Sequence, residues 1–404
     1  VQYSSGTINL GDGAADSLTL GNFNNTITVN NIETLTGGNS ADVVTFANQV
    51  TGGTINLGSG TDTLILGNFN NTLTATNIEN ITGNSSDDII TMSTLVSGGT
   101  INLGAGTDSL TLGNFANILT VSNVETLTGG TSNDTVTLGA AVVSGTIDLA
   151  AGTDAISLGN FANTITLANV ETVTGGTSSD VVTLSTQISG GTVNLGSGTD
   201  SLTLGDFANT LTVSNTETLV GGTNNDIVTL GSAVTTGTIN LGAGTDSITL
   251  ANTVNSVTLT NVEAITGGTS TDVITLGSAF TTGTINLGNG TSDVLTLGNF
   301  ANTLTIVGVE SLVGGTDSDT VTLGAQASAV TINLGAGVDV LTLGNFVNTV
   351  TVSNVETITG NATNDLVTLG TQVTGGEIDL AGGSDRLTLG NFANTITTLN
   401  IESI

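Results

Sequence analysis

The chain has no cysteine, proline, histidine or tryptophan, and Arg386 is the only basic side chain among its 404 residues. The absence of cysteine excludes a disulfide framework and a thiolate metal site. The absence of histidine, cysteine and lysine removes the usual general bases and the nucleophile–base pairs of enzymes. One arginine cannot form the basic patch that nucleic acid or anionic lipid needs. We therefore expect neither an enzyme nor a protein that binds nucleic acid.

Long hydrophobic runs are missing as well. No stretch of about 18 apolar residues occurs, so we expect no insertion into a membrane. The 33 acidic side chains give a formal net charge of −32, which is common in disordered proteins. Disorder also needs low hydrophobicity, however, and 37% of these residues are apolar. The chain is therefore expected to fold.

Internal repetition organises the chain. A segment of the type Gly-Thr-Ile-Asn-Leu recurs every 46 or 47 residues, and the longer copies carry one extra residue in a glycine-rich turn. Nine copies begin and the ninth is incomplete; their aligned apolar residues are Ile8, Ile55, Ile101, Ile147, Val193, Ile239, Ile285, Ile332 and Ile378. We predict a single solenoid over residues 1–404, made of about nine 46-residue repeats without a linker.

The residues of each repeat predict β-strands rather than helices. Thr, Val, Ile, Asn and Gly dominate, and apolar residues alternate with polar ones in segments such as Leu110–Leu112. The pattern Gly-x-(Gly/Ser)-x-Asp-x-Φ-Thr-Leu-Gly occurs twice per repeat, with Asp134 26 residues after Asp108 and 20 before Asp154. Each interval is about the length of one coil. We predict an all-β fold, a parallel β-solenoid (β-helix or β-roll) with two coils per 46-residue repeat, right-handed because β-crossovers are.

Stacked coils predict an apolar core and ladders of identical side chains. The Leu, Ile and Val residues of the strands should point inward. So should a phenylalanine at one corner, replaced once by Thr253: Phe23, Phe69, Phe115, Phe161, Phe207, Phe300, Phe346 and Phe392. Coils stack about 4.8 Å apart. Equivalent asparagines should then hydrogen-bond to one another along the stack: Asn25, Asn71, Asn117, Asn163, Asn209, Asn255, Asn302, Asn348 and Asn394.

Two aspartate series are the candidate functional residues. The first follows the glycine turns: Asp16, Asp62, Asp108, Asp154, Asp200, Asp246, Asp293, Asp339 and Asp385. The second is Asp42, Asp88, Asp134, Asp180, Asp226, Asp272, Asp319 and Asp365. If the coils stack in register, both series merge into one ladder, whose neighbours about 5 Å apart repel by roughly 3 kcal/mol per pair at an effective dielectric near 20.

Cations from solution or protonation must offset this repulsion, since basic side chains are missing. Carboxylates and turn carbonyls offer only oxygen ligands, which suits Ca²⁺. A regular ladder also lacks the two carboxyls in unlike environments that glycosidase chemistry needs. We therefore predict a Ca²⁺-binding role for the two series, and no catalytic one.

The glycine turns resemble those of a known family. Residues 104–111 are similar to the nonapeptide Gly-Gly-x-Gly-x-Asp-x-U-x of RTX β-roll proteins, and residues 129–137 match it with Ser132 at the third glycine. The nonapeptides are not contiguous here, which makes the chain more like the long β-strand-repeat proteins of bacterial cell surfaces. The resemblance implies a secreted protein whose aspartates and turn carbonyls hold Ca²⁺ between stacked coils. The alternative is that each aspartate only caps its own turn by accepting backbone N–H bonds.

Two further series repeat. The glutamates are Glu33, Glu79, Glu125, Glu171, Glu217, Glu263, Glu310, Glu356 and Glu402. At one per two coils they would be about 10 Å apart and screened by salt. A solvated face or a turn hydrogen bond is the preferred interpretation, with metal binding or a contact with another chain as alternatives. Thr-x-Thr pairs such as Thr164 and Thr166, which in flat arrays mark ice-binding solenoids, occur once per repeat. Because we expect Thr-x-Asn in alternate coils, ordinary outward threonine is preferred.

These observations predict an extracellular structural protein. We expect a Ca²⁺-stabilised solenoid that belongs to a bacterial surface fibre, surface layer (S-layer) or adhesin stalk. Neither residues 1–5 nor residues 400–404 resemble the polar cap that a solenoid end needs. Either the chain is part of a longer one, or its ends pair with other copies. Self-assembly, head-to-tail or lateral, and cell-surface polysaccharide are the expected partnerships. The alternative is an adhesin or a module that binds carbohydrate or ice.

Overall fold

The computed structural model describes residues 2–404. The chain divides into two compact units, Val1–Gly205 and Asp206–Ile404. In the described part of the first unit the strands are β1 Thr7–Asn9, β2 Ser17–Thr19, β3 Thr26–Asn30, β4 Thr34–Gly38, β5 Val43–Phe46, β6 Thr51–Gly58, β7 Thr63–Ile65, β8 Thr72–Thr76, β9 Asn80–Asn84, β10 Ile89–Met92, β11 Ser97–Gly104, β12 Ser109–Thr111, β13 Ile118–Ser122, β14 Thr126–Thr128, β15 Thr135–Leu138, β16 Val143–Asp148, β17 Ala155–Ser157, β18 Thr164–Ala168, β19 Thr172–Gly176, β20 Val181–Leu184, β21 Ser189–Gly196 and β22 Ser201–Thr203.

The second unit continues the same alternation. Its strands are β23 Thr210–Ser214, β24 Thr218–Val220, β25 Ile227–Leu230, β26 Gly237–Asn240, β27 Ser247–Thr249, β28 Asn255–Thr260, β29 Ala264–Thr266, β30 Asp272–Leu276, β31 Thr284–Asn286, β32 Val294–Thr296, β33 Thr303–Val307, β34 Ser311–Gly315, β35 Thr320–Leu323, β36 Ser328–Gly335, β37 Val340–Thr342, β38 Thr349–Ser353, β39 Thr357–Asn361, β40 Leu366–Leu369, β41 Thr374–Ala381, β42 Arg386–Thr388 and β43 Thr395–Leu399.

Each unit is a parallel β-solenoid with two strands per turn, which confirms the predicted fold class. Odd-numbered strands pair in parallel with the next odd-numbered strand, and even-numbered strands do the same in a second sheet. Thr26 is paired with Val43 in the next turn, and Val43 is paired with Thr63 in the turn after it. The sequence interval between two such partners is therefore the length of one turn. Handedness stays a prediction, and so does the single uninterrupted solenoid over residues 1–404.

The predicted two coils per repeat are wrong. Each repeat contains five strands, as shown by β3 and its equivalent β8 in the next repeat, and therefore makes two and a half turns. The interval from Asp108 to Asp134 holds three strands, because a tight turn at Asn123, with φ of 54°, separates β13 from β14. An even number of half-turns would return each repeat to the same sheet. Five half-turns place equivalent residues of successive repeats in opposite sheets.

The core contains the predicted aliphatic residues. In β12 the side chain of Leu110 is buried between the partly exposed Ser109 and Thr111, and the same alternation recurs along both units. The corner phenylalanines contradict the prediction. Seven of them are 36–46% exposed, Phe23, Phe69, Phe115, Phe161, Phe207, Phe346 and Phe392, and Phe300 is half-buried. They occupy the outer side of the turns between sheets, whereas Phe46 and Phe280, which are outside this series, are buried.

Within residues 2–404, no helix has the length and apolar character needed to cross a membrane.

Candidate functional site: the acid runs

The aspartates lie in columns at the corners of the solenoid. Asn71, Asp88, Asp108 and Glu125 each directly precede a strand, and these four strands, β8, β10, β12 and β14, are neighbours in the even-numbered sheet. The first strand residue faces outward, so the residue before it faces the interior. Asp88 and Asp108 are each only 1% exposed. We call such a column segment, Asn-Asp-Asp-Glu in four successive turns, an acid run.

Each side chain of an acid run binds the backbone of the preceding turn. Asn71 accepts from the N–H of Val50 (3.0 Å), and Asp88 accepts from that of Asn71 (3.0 Å). Asp108 accepts from the N–H of Asp88 (2.7 Å), and Glu125 from that of Asp108 (2.9 Å). These corner N–H groups lie outside the strand ladders and are buried, where an unpaired donor costs about 1–3 kcal/mol. The acid run therefore connects consecutive turns by hydrogen bonds.

Acid runs recur in both units. They include Asn25-Asp42-Asp62-Glu79, Asn71-Asp88-Asp108-Glu125 and Asn117-Asp134-Asp154-Glu171 in the first, and Asn209-Asp226-Asp246-Glu263, Asn255-Asp272-Asp293-Glu310, Asn302-Asp319-Asp339-Glu356 and Asn348-Asp365-Asp385-Glu402 in the second. Asp16 with Glu33, and Asn163 with Asp180 and Asp200, make the same bonds. The predicted ladder of seventeen aspartates is thus wrong. Two and a half turns per repeat divide the aspartates between two corners, in pairs.

The asparagines stack on aspartates, not on one another. The Nδ2 of Asn71 donates to Oδ1 of Asp88 (2.9 Å) and to the carbonyl oxygens of Gly67 (3.1 Å) and Phe69 (2.7 Å). Equivalent asparagines of one corner are five turns apart, so the predicted asparagine ladders do not form. Asparagine is suited to the first position of the run because its amide can donate to these acceptors while its carbonyl oxygen accepts.

The glutamates belong to the same columns, which the sequence analysis missed. Of its alternatives, the hydrogen bond is observed, since Glu125 accepts from the N–H of Asp108. The intervals between these residues in the sequence could have revealed the columns. Asn71 to Asp88 and Asp108 to Glu125 are 17 residues apart, and Asp88 to Asp108 are 20 apart, which are the lengths of single turns. The turn-capping alternative is observed at Asp134, which accepts from the N–H of Gly130 in its own turn (3.3 Å), whereas the Oδ1 bonds described above come from the N–H groups of the preceding turn.

The second carboxylate oxygen of most aspartates has no hydrogen-bond partner. Buried Oδ2 atoms of this kind belong to Asp16, Asp42, Asp62, Asp88, Asp108, Asp154, Asp180, Asp226, Asp246, Asp272, Asp293, Asp319, Asp339 and Asp385. A buried carboxylate without a cationic neighbour is destabilised in its charged form. The unpartnered oxygens thus require a proton or a cation.

Burial raises the pKa of Asp108 to about 6, the bond from the N–H of Asp88 opposes this rise, and the carboxylates of Asp88, Glu125 and Asp87 add to it. The other second aspartates whose pKa burial raises to about 6 are Asp62, Asp246, Asp293 and Asp339. Burial also raises the pKa of Asp88, Asp154, Asp180, Asp272, Asp319, Asp365 and Asp385. The second aspartate lies between two other acids, and burial thus favours its protonated form.

The donors around an acid run are the kind that Ca²⁺ prefers. A Cβ built on Gly83 would lie 2.7 Å from Oδ2 of Asp88 and 2.1 Å from the carbonyl oxygen of Leu103, so the glycine leaves these oxygens close to a common space. Within residues 2–404 no three acidic side chains come together as a metal-binding group. A bound Ca²⁺ would therefore take Oδ2 atoms of one aspartate pair, with main-chain carbonyls and water as its other ligands. The unpartnered oxygens fit such a role, and the seventeen predicted metal ligands stay a prediction.

Rows of outward threonine form a second repeated feature. Thr34, Thr54, Thr74, Thr91, Thr111 and Thr128 are consecutive neighbours in the even-numbered sheet. A similar row contains Thr126, Thr146, Thr166, Thr183 and Thr203. The expected alternation of Thr-x-Thr with Thr-x-Asn is wrong. The Thr-x-Asn strand type, as in Thr100–Asn102, occurs once per five strands, so the rows are longer than the sequence indicated.

Fold and site together define a parallel β-solenoid whose consecutive turns are connected by buried acid runs. No protein-family model matches the chain, and no curated protein matches it. A solved structure to which it is similar is a hyperactive, Ca²⁺-dependent, β-helical antifreeze protein from an Antarctic bacterium, with 22% identity, 74% of this chain and 85% of that chain covered, and a TM-score of 0.23. A similarity at this level does not extend that protein's binding properties to this chain. The RTX resemblance stays a prediction.

Proposed function

We propose that the chain is a structural protein of the bacterial cell exterior, a Ca²⁺-stabilised solenoid in a surface fibre, surface layer or adhesin stalk. The observation that supports this proposal is the acid run. It buries two aspartates with unpartnered oxygens beside a glutamate, in a sequence whose only basic residue is Arg386. Folding then depends on a charge that solution must supply. Ca²⁺ is abundant outside cells, and a cation that binds only the stacked turns stabilises the fold by mass action.

Assembly with further copies is part of the proposal. Of the 33 carboxylates only six are exposed on the surface of residues 2–404, Asp12, Asp87, Asp206, Asp317, Glu377 and Glu402. Burial of the others reduces the charge repulsion that keeps acidic proteins apart. Head-to-tail or lateral contacts between copies, and contacts with cell-surface polysaccharide, are therefore compatible with the formal charge of −32.

Removal of Ca²⁺ is expected to lower the melting temperature strongly. One site at a hundredfold excess of ligand over Kd contributes about 2.7 kcal/mol, and several acid runs act together, so we expect a loss of more than about 10 °C in chelator. Circular dichroism melting with Ca²⁺, with Mg²⁺ and with chelator measures this. Electron microscopy of the same samples should show filaments or lateral arrays in Ca²⁺ and separate short rods in chelator.

A matched variant distinguishes the contribution of the metal to stability from that of the hydrogen bond. Asp88→Asn together with Asp108→Asn keeps an oxygen that can accept the preceding N–H and removes both charges. This variant should melt higher than the parent in chelator and respond less to Ca²⁺. An unchanged melting curve of the parent in chelator would remove the calcium proposal, and separate rods in Ca²⁺ would remove the assembly proposal.

The threonine rows favour a second candidate function, binding to a crystalline surface such as ice. Threonines in adjacent strands lie about 4.8 Å apart, and those two residues apart on a strand lie about 6.7 Å apart. A two-dimensional array of methyl and hydroxyl groups at fixed spacings is suited to a ligand that is itself a lattice. The sheets that carry the array are rigid because every turn is hydrogen-bonded to the next.

The expected result for this candidate is a gap between melting and freezing temperatures in solutions of the protein. Thr166→Lys, in the middle of a row, should reduce that gap several-fold by interrupting the array. Thr131→Lys, in an exposed turn outside the rows, is the control and should have no effect. Crystal growth that the parent does not alter, measured by nanolitre osmometry, contradicts ice binding.

A further inference from the structure

The exposed corner phenylalanines have no role in the core or in the acid runs. Their turn is Gly-Asn-Phe-x-Asn in seven repeats and Gly-Asp-Phe-x-Asn around Phe207. Phe115 is 41% exposed and is flanked by the exposed residues Asn114 and Ala116. A single exposed apolar side chain needs no explanation. An exposed ring at the same turn of seven repeats does.

The turn holds its ring in a fixed position. The N–H of Phe115 donates to the carbonyl oxygen of Gly113 (2.8 Å), and its carbonyl oxygen accepts from Nδ2 of Asn117 (2.8 Å). A Cβ on Gly113 would lie 2.9 Å from Cδ2 of the ring, so the ring rests on the glycine and leaves its other face to solvent. Presentation of the ring therefore costs little conformational entropy when a ligand binds.

The rings occupy both edges where the chain crosses between sheets. In the first unit Phe23 and Phe115 lie on one edge, since each precedes an odd-numbered strand, and Phe69 and Phe161 lie on the other. In the second unit Phe207, Phe300 and Phe392 share an edge, and Phe346 lies on the opposite one. Rings of one edge are five turns apart, or about 24 Å. Each edge thus presents separate aromatic sites at a constant interval.

The spacing distinguishes between classes of ligand. A stable protein–protein interface needs a contiguous, well-packed centre of about 800 Å² per partner, which rings about 24 Å apart do not form. A long polymer with repeating units can contact successive rings, and several weak sites then add up to useful avidity. The acidic chain repels polyanions. A polyanionic polymer is therefore disfavoured.

We propose that the phenylalanine turns are binding sites for a neutral polysaccharide. The C–H groups on one face of a sugar ring pack against the open face of the phenylalanine, and the neighbouring asparagine amide, such as that of Asn114, hydrogen-bonds to sugar hydroxyls. Successive rings along an edge bind successive segments of one glycan chain. This inference rests on the polysaccharide contacts proposed above and assigns their site and the charge of the glycan, and it is independent of whether Ca²⁺ binds the acid runs.

The chain itself supplies a control for folding. In the sixth repeat Thr253 occupies the phenylalanine position, and its turn keeps the same bonds, with Nδ2 of Asn255 donating to the carbonyl oxygens of Thr253 (2.7 Å) and Ala251 (3.0 Å). A threonine is thus compatible with the turn. Phe→Thr variants should fold and remove only the ring.

The test is affinity electrophoresis of the full chain, in Ca²⁺, through gels that contain hydroxyethyl cellulose, amylose or mannan, with alginate as the charged comparison. At least one neutral glycan should retard the parent. The fourfold variant Phe23→Thr, Phe69→Thr, Phe115→Thr and Phe161→Thr should lose at least about tenfold in apparent affinity, and Thr253→Phe should bind more tightly. Ile89→Thr with Ile118→Thr removes exposed aliphatic groups from the sheets and should bind as the parent does.

Three results would overturn the proposal. They are a folded parent that no neutral glycan retards, a fourfold variant that binds unchanged, and a fourfold variant whose only change is loss of self-association in sedimentation, which would assign the rings to contacts between copies. Circular dichroism of every variant confirms folding. None of these results alters the melting behaviour in chelator, so failure of this inference and failure of the calcium proposal are distinguishable.

Discussion

Gly83→Ala is expected to unfold the turns around it. The Cβ of the new alanine would lie 2.1 Å from the carbonyl oxygen of Leu103 and 2.7 Å from the carbonyl carbon of the same residue. Both are backbone atoms of the next turn in the stack, and neither can move without breaking the ladder between β9 and β11. We expect a loss of more than about 4 kcal/mol, seen as a much lower melting temperature.

The matched control is Gly382→Ala, in the turn that follows β41. There the nearest atom to an added Cβ is the Cα of Ala362 at 3.8 Å, an ordinary contact. This variant should melt within about 0.5 kcal/mol of the parent. If Gly83→Ala were equally neutral, the close stacking of these turns would be wrong, and with it the geometry of the acid run at Asp88.

The calcium-free protein is expected to become more stable as the pH falls from 7 to 4. Burial raises the pKa of Asp108 in the folded chain from 3.8 to about 6. Between these values the folded chain binds a proton that the unfolded chain does not, so the free energy of unfolding increases on acidification. The gain is complete below the unfolded pKa and is lost as the pH rises through about 6. This is the reverse of ordinary acid denaturation, in which paired carboxylates must be protonated.

The size of this effect follows from the number of sites. A pKa difference of one unit between folded and unfolded chains is worth about 1.4 kcal/mol. Asp62, Asp246, Asp293 and Asp339 are raised to about 6 like Asp108, so a total of several kcal/mol is expected even after the chain relaxes around them. Chemical denaturation in chelator at a series of pH values measures it.

Replacement of the second aspartates provides the control for the pH dependence. Asn at positions 62, 108, 246, 293 and 339 removes five of the titrating groups and keeps an accepting oxygen, so the stability should depend less steeply on pH between pH 4 and pH 7. A parent whose stability falls on acidification over this range would show that its buried carboxylates are charged and compensated. In calcium the same dependence should be weaker, because a bound cation lowers the pKa of its ligands.

The half-integral number of turns has a consequence for every surface feature. Equivalent residues of neighbouring repeats face opposite sheets, as Thr74 of β8 and Thr28 of β3 do. Each unit therefore carries threonine rows on both sheets and phenylalanine turns on both edges. The two faces of each unit therefore present similar groups.

Much of this architecture was accessible from the sequence. The 46-residue repeat, the strands, the inward aliphatic residues and the corner position of the aspartates follow from local patterns. Alternation with a period of two distinguishes the two faces of a strand, and glycine-rich segments mark the turns. The inward direction of Leu110 needed no knowledge of its neighbours, because a short strand with one apolar residue has only one side to bury.

Only the tertiary structure decided which turns lie on which. The chain crosses to the other sheet at Asn123, between β13 and β14, and this single turn changes the count from two coils to two and a half. With this number of turns, Asp108 stacks on Asp88 and Asp88 stacks on Asn71. Phe115 then lies at an outer edge. The sequence determined the local alternation because it depends on neighbouring residues. The stacking partners, the buried charge and the pKa values depend on residues a whole turn away, where one additional half-turn changes every contact.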